Sequence, residues 1–143
     1  MTVAHILATK GHDVVTAEQG DTLTKVASVM AERRIGAVVV TGGEGTVLGI
    51  LSERDIVRAV AEGGADALAA SVAAHMTRKV VTTTGEETIP ALMERMTEGR
   101  FRHLPVLKNG RLDGIVSIGD VVKHRLAEIE SEASAMRDYI ASA

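Results

Sequence analysis

Two stretches of the chain carry residue types on which chemistry can be built. Gly49-Ile50-Leu51-Ser52-Glu53-Arg54-Asp55 and Gly114-Ile115-Val116-Ser117-Ile118-Gly119-Asp120 share the pattern Gly-x-x-Ser-x-x-Asp. A serine followed three residues on by an acid, at a strand-to-helix junction, is a capping box: the hydroxyl accepts from the third helical N–H and the acid reaches back. The same geometry has a second use. Free N–H groups at a helix start favour an anion, so a phosphate can sit there beside the hydroxyl. An Asp one turn on can accept both hydroxyls of a ribose, and the Gly lets ligand and backbone approach closely. On the residues alone both uses stand open.

Other chemistry finds little support. There is no Walker-type Gly-x-x-x-x-Gly-Lys-Ser/Thr, no Gly-x-Ser-x-Gly elbow and no His-Glu-x-x-His. Cysteine is absent, which removes thiolate nucleophiles, thiolate metal sites and disulfides. The five histidines, His5, His12, His75, His103 and His124, show no paired ligand spacing. A net charge of −3, one Phe, one Tyr and no Trp argue against an extended nucleic-acid surface. No apolar run approaches the roughly 18 residues that cross a bilayer, and no charged-then-apolar leader opens the chain, so no membrane role and a cytoplasmic setting are expected.

The paired motifs belong to a longer repeat. Val14-Val15-Thr16 recurs as Val80-Val81-Thr82, Thr22-Leu23 as Thr88-Ile89, Met30 as Met96, and Arg34-Ile35 as Arg100-Phe101. Such a spacing means two copies of one supersecondary unit that bury apolar faces against each other, with function in the cleft between them. Within each copy Thr22 or Thr88 caps a helix with apolar residues at helical spacing, Leu23, Val26, Ala27, Met30 and Ile89, Leu92, Met93, Met96. A β-branched run follows, Ala37 to Thr41 or Leu104 to Leu107, then a turn, Gly42 to Gly45 or the hairpin signal Asn109-Gly110. Return strands, Val47 to Leu51 and Leu112 to Val116, lead into second helices. The unit reads strand, helix, strand, strand, helix.

Two departures from the repeat matter. The loop Lys10-Gly11-His12-Asp13 is longer than its counterpart Arg78-Lys79, so the clefts are expected to be unequal. Beyond Val121 the chain stays helix-like, with Val122, Leu126, Ile129, Ala133, Met136 and Ile140 on one stripe that must be covered by the chain's own body or by a second copy.

Taken in this order the chain resembles a tandem pair of cystathionine-β-synthase-type (CBS) domains, a Bateman module. The likeness rests on the repeated Gly-hydrophobic-x-Ser-x-x-Asp, the Val-Val-Thr strands and the segment Phe101-Arg102-His103-Leu104-Pro105-Val106. It implies an α+β fold: two pseudo-symmetric βαββα repeats packed sheet to sheet, repeat 1 over residues 1–70, repeat 2 over 71–127 and a helical extension over 128–143. It also implies clefts for adenosine-containing ligands such as AMP, ADP, ATP, S-adenosylmethionine or NAD(H), and a regulatory role.

Carried over by residue, the resemblance makes Ser117 and Asp120 the phosphate and ribose contacts of one cleft, and Ser52 and Asp55 those of the other. The adenine edge falls to Asp13, Val14 and Val15 with the Lys10, Gly11 and His12 loop in copy one, and to Lys79, Val80 and Val81 in copy two. Aliphatic side chains, Val14, Ile35 and Ile50 or Val80, Leu104 and Ile115, would flank the ring. Arg102 and His103 resemble the basic pair before Leu-Pro-Val in regulatory subunits of AMP-activated protein kinases, where it meets phosphates; Pro105 is counted with them. Copy one has Gly36 and Ala37 at those positions. Arg54 is placed to reach a phosphate across a dimer. Each has a plainer use: Arg100 and Arg102 as solvated charges beside a helix C-terminus, His103 as a strand histidine, and Glu53-Arg54 as a solvated first turn.

The resulting expectation is a stand-alone sensor of adenine nucleotides with no obligatory cofactor, paired as a homodimer and acting through an unidentified effector protein. A structural oligomerisation module with vestigial clefts and a nucleotide-hydrolysing enzyme are the alternatives.

Overall fold

The computed structural model describes residues 1–142; Ala143, the last residue of the expected extension, lies outside them. The element order is α1 (Val3–Lys10), β1 (Thr16–Ala17), α2 (Leu23–Arg33), β2 (Ala37–Thr41), β3 (Val47–Ser52), α3 (Glu53–Gly63), α4 (Val72–His75), β4 (Thr83–Thr84), α5 (Ile89–Gly99), β5 (His103–Lys108), β6 (Arg111–Ser117) and α6 (Ile118–Ser142). Two three-stranded sheets result, β1-β2-β3 and β4-β5-β6, each with one parallel and one antiparallel pair. The α+β expectation of two like copies and a long last helix matches this architecture.

The copies repeat down to fine detail because the same residues do the same local work. Thr22 and Thr88 cap α2 and α5 through their side chains, accepting from Lys25 N and Ala91 N. Both helices stop at an arginine in the left-handed region, Arg34 (φ 56) and Arg100 (φ 57). Val40 pairs with Gly49, and Val106 with Gly114, and each sheet carries a bulge immediately beyond. The copies diverge at the next turn, where Asn109 and Gly110, both at positive φ, close a two-residue hairpin, while Gly43–Gly45 forms a short 3-10 turn.

The expected opening strands are corrected. Val14-Val15-Thr16 shrinks to the ladder Thr16–Ala17, and Val80-Val81-Thr82 gives way to Thr83–Thr84. The preceding valines leave the sheet to line the space between the copies. Helix α1 is also new: no element was expected over Val3–Lys10, and it takes in Lys10, the first residue of the expected loop.

Its packing crosses the repeat. Val3, Ile6 and Leu7 of α1 are fully buried with Ile89, Leu92, Leu104 and Val116 of the second copy. Conversely, Val72 of α4 and the adjoining Met76 are buried with Leu23, Val38 and Leu51 of the first. The bridges Thr2 to Thr88 and Thr22 to Ser71 fix both docked segments. Each core is therefore completed by the segment that precedes the other copy.

Candidate functional site

Both Ser/Asp motifs are capping boxes, so the plainer reading of their local geometry holds. In the first, Asp55 N donates to Ser52 Oγ at 3.3 Å, and Ser52 N donates to Asp55 Oδ2 at 2.8 Å. The second repeats this, with Asp120 N to Ser117 Oγ at 3.1 Å and Ser117 N to Asp120 Oδ2 at 2.9 Å. The first N–H of each helix is also engaged, Glu53 N with Gly36 O and Ile118 N with Arg102 O. Capping does not exhaust the carboxylates: Asp55 lines a cleft between the copies, and Asp120 holds a lysine.

The glycines of the motif have a different purpose from the one expected. A Cβ on Gly49 would stand 2.6 Å from Met76 Sδ and 2.9 Å from Thr77 O, and one on Gly114 would stand 2.7 Å from Leu7 Cδ2. Their bare backbone admits the docked segments that finish each core.

The larger cleft, about 400 Å³, is lined by Ser52, Glu53, Arg54 and Asp55 from the first copy and by Lys79, Val80, Val81 and Arg100 to His103 from the second. Its aliphatic walls include Ile50, Val80 and Ile118. The smaller, about 320 Å³, gathers Lys10, Asp13, Val14, Val15 and Arg34 to Ala37 from the first copy with His103, Ile115 and Ser117 from the second. Each volume suits a small ligand, since binding clefts run from about 300 to 1,000 Å³. Grouping these residues copy by copy is thereby corrected: the opening segment of one copy faces the helix start of the other, and Arg102 shares a cleft with Asp55. The exchanged packing of α1 and α4 is the physical reason.

Asp120 lines neither cleft, and four further expected residues stand apart. Pro105 is buried within β5 and lines neither cleft. Gly11 caps α1 at φ 96, and His12 turns to the edge of β6, its Nδ1 3.0 Å from Asp113 O. Leu104, expected beside the ring, is fully buried.

The two motif carboxylates differ in their partners. Lys10 Nζ lies 2.7 Å from Asp120 Oδ2 and donates to Ile115 O at 2.9 Å. Burial raises the Asp120 pKa, yet the Lys10 ammonium and the Ser117 donors outweigh it and hold the carboxyl below its ordinary value. Asp55 meets a cation only at 3.5 Å, from the exposed Arg58. One carboxylate is neutralised by a close ammonium, and the other meets its cation at longer range.

His103 lines both clefts. Its ring packs where a Cβ on Gly36 would lie, 3.2 Å from Cε1. Burial is the chief cause pushing its pKa below the ordinary value, with Lys10 and Arg102 acting the same way against Glu53 and Asp120. Glu53, Arg100 and Arg34 join the clefts without having been assigned there. For the arginines the signal was their place one residue past each first helix, where a left-handed turn aims the chain inward.

A model of the CBS domain matches residues 3–62 and again 69–127. The chain belongs to the CBS domain family. The CBS-domain containing protein ATU1752 from Agrobacterium tumefaciens is 51% identical, with TM-score 0.84, over 87% of this chain and 99% of that one. The mitochondrial CBS domain-containing protein CBSX3 of Arabidopsis thaliana is 31% identical, over 97% of this CBS chain and 71% of its own length. The fold is shared further with the CBS domain pair of protein MJ0100, solved in complex with 5′-methylthioadenosine and S-adenosyl-L-methionine, at 22% identity and TM-score 0.79 over 90% of this chain and 98% of that one. Among the described residues no helix is long and apolar enough to cross a membrane.

Proposed function

We propose that this CBS pair is a cytoplasmic regulatory sensor that binds an adenine nucleotide, AMP, ADP, ATP or NAD(H), and reports its occupancy through a partner or a change of assembly. The observation that carries the reading is the larger cleft: the Asp55 carboxylate lines it together with the cations Arg54, Lys79, Arg100 and Arg102, with Ile50 and Val80 as aliphatic walls. A ribose diol suits the carboxylate, a phosphate suits the cations, and a purine ring suits the aliphatic walls. The adenosyl ligands of the MJ0100 pair support the same chemical class. Lys10 of the smaller cleft is already held by Asp120, so we assign the first binding event to the larger.

The module also pairs as a homodimer in this reading. Val57 (67% exposed) and Val60 (37%) on α3, with Leu126 (56%) on α6, are apolar surface that a second copy would cover.

Titration calorimetry with AMP, adenosine and GMP tests the nucleotide reading. AMP should bind in the micromolar range, about −8 kcal/mol, with adenosine weaker for want of a phosphate and GMP weaker still. No heat and no thermal shift with any adenine ligand would overturn it and leave an assembly module with unused clefts.

A further inference from the structure

The outer half of α6 has no cover of its own. Every residue from Ile129 to Ser142 is exposed, on all sides of the helix. A helix of this length without tertiary packing is marginal in water. Yet it carries large apolar side chains: Ile129 is 44% exposed, Met136 59% and Ile140 66%. With Val122, Leu126 and Ala133 they form two interleaved tracks with a strict seven-residue repeat, Val122-Ile129-Met136 and Leu126-Ala133-Ile140. A sustained repeat of seven is the signature of a seam between supercoiled helices.

The flanking charges decide what lies across that seam. Arg125 and Glu132 immediately precede one track, and Glu130 and Arg137 immediately follow the other. When two such helices run parallel and in register, each residue of the first kind meets the second kind one heptad on. Arg125 then faces Glu130 of a second copy, and Glu132 faces Arg137. Both pairs attract. An antiparallel overlap of the same length sets Glu130 against Glu130, Glu132 against Glu132 and Lys123 against Arg137, and all three repel. Arg125 already holds Glu128 within the chain at 3.0 Å, so the outer pair is the more informative one.

We infer that the occupant of this stripe is α6 of a second copy, in a parallel in-register coiled coil that sets the two second repeats side by side. This rests on the homodimer reading and adds its orientation.

Because the chain has no cysteine, an introduced thiol reports the geometry directly. Ile140→Cys should form a disulfide-linked dimer on mild oxidation, since that position meets itself only across a parallel coil. Asp138→Cys, outside the seam, should not. Separately, Glu132→Lys should weaken dimerisation about tenfold by concentration-dependent light scattering, as two attractions become repulsions worth several tenths of a kcal/mol each. The exchange Glu132→Lys with Arg137→Glu should restore it. A dimer in which Ile140→Cys stays unlinked and Glu132→Lys changes nothing overturns the coil while leaving the homodimer intact. A monomer at tens of micromolar overturns both, and neither result bears on the AMP titration.

Discussion

Asp55 and Asp120 occupy the same place in the same motif, and their neighbours give them different work. Asp55→Ala should weaken AMP binding by about 1 to 3 kcal/mol, the range for a lost charge-assisted hydrogen bond. Asp120→Ala should leave that first event nearly unchanged, and Lys10→Ala should add a second, weaker binding step by freeing Asp120. Calorimetric stoichiometry distinguishes these outcomes, and equal losses for both Asp variants would contradict the assignment. The spacing of Ser and Asp made both capping boxes legible. The Lys10 contact was not, because it joins residues 110 apart in sequence, and no local pattern encodes such a partner. His103 carries its own pH dependence. Its folded pKa is depressed below about 6.5, chiefly by burial, so the unfolded chain takes up the proton first. Its contribution to stability is full above the unfolded value and is lost as pH falls toward the folded one. An anionic ligand favours the protonated ring, so binding at pH 6 of NAD, whose diphosphate diester does not titrate there, should take up protons, seen as a heat that varies with buffer ionisation enthalpy. His103→Ala should abolish that uptake.

Caps, hairpins and helical stripes were legible in the elements because each is written within a few residues; Asn109-Gly110 and Thr88 with Pro90 are examples. Helix α1 was missed, although Thr2-Val3 to Leu7 and Ser71-Val72 to Met76 match in their buried positions. Their offset differs from that of the rest of the repeat, and their partners lie in the opposite copy. The docked ends predict a coupling. Gly114→Ala drives a Cβ into Leu7 and should cost about 1 to 3 kcal/mol in thermal or denaturant unfolding, the range for overpacking. Leu7→Ala should cost about 2 to 5 kcal/mol as a cavity, and the two together should cost less than the sum. At Gly49 relief should be poorer, because the carbonyl of Thr77 as well as Met76 stands in the way. Strict additivity at Gly114 would show that the glycine is there for some other reason.

For the whole molecule, crossed cores predict that the two copies unfold together. Ile6→Ala, a cavity in the second copy's core made near the start of the chain, should lower the denaturant midpoint while keeping a single transition, by about 2 to 5 kcal/mol. Two transitions would mean that the cores are independent. The sequence repeat made the two-copy plan and its class legible, since duplication shows in one dimension. Which copy lends a segment to which, and therefore which residues share a cleft, depends on a path through space that leaves no periodic trace.

That exchange of segments bears on how such a chain could have arisen. In this arrangement neither sheet is covered by the helix in front of it: α1 packs on the second copy and α4 on the first. A lone repeat could complete itself in the same way by lending the helix to a twin and borrowing the twin's in return. The tandem protein has the plan of a swapped pair joined end to end, with α4 at the join. Cutting the chain there should therefore return two fragments that are unfolded apart and reassemble when mixed.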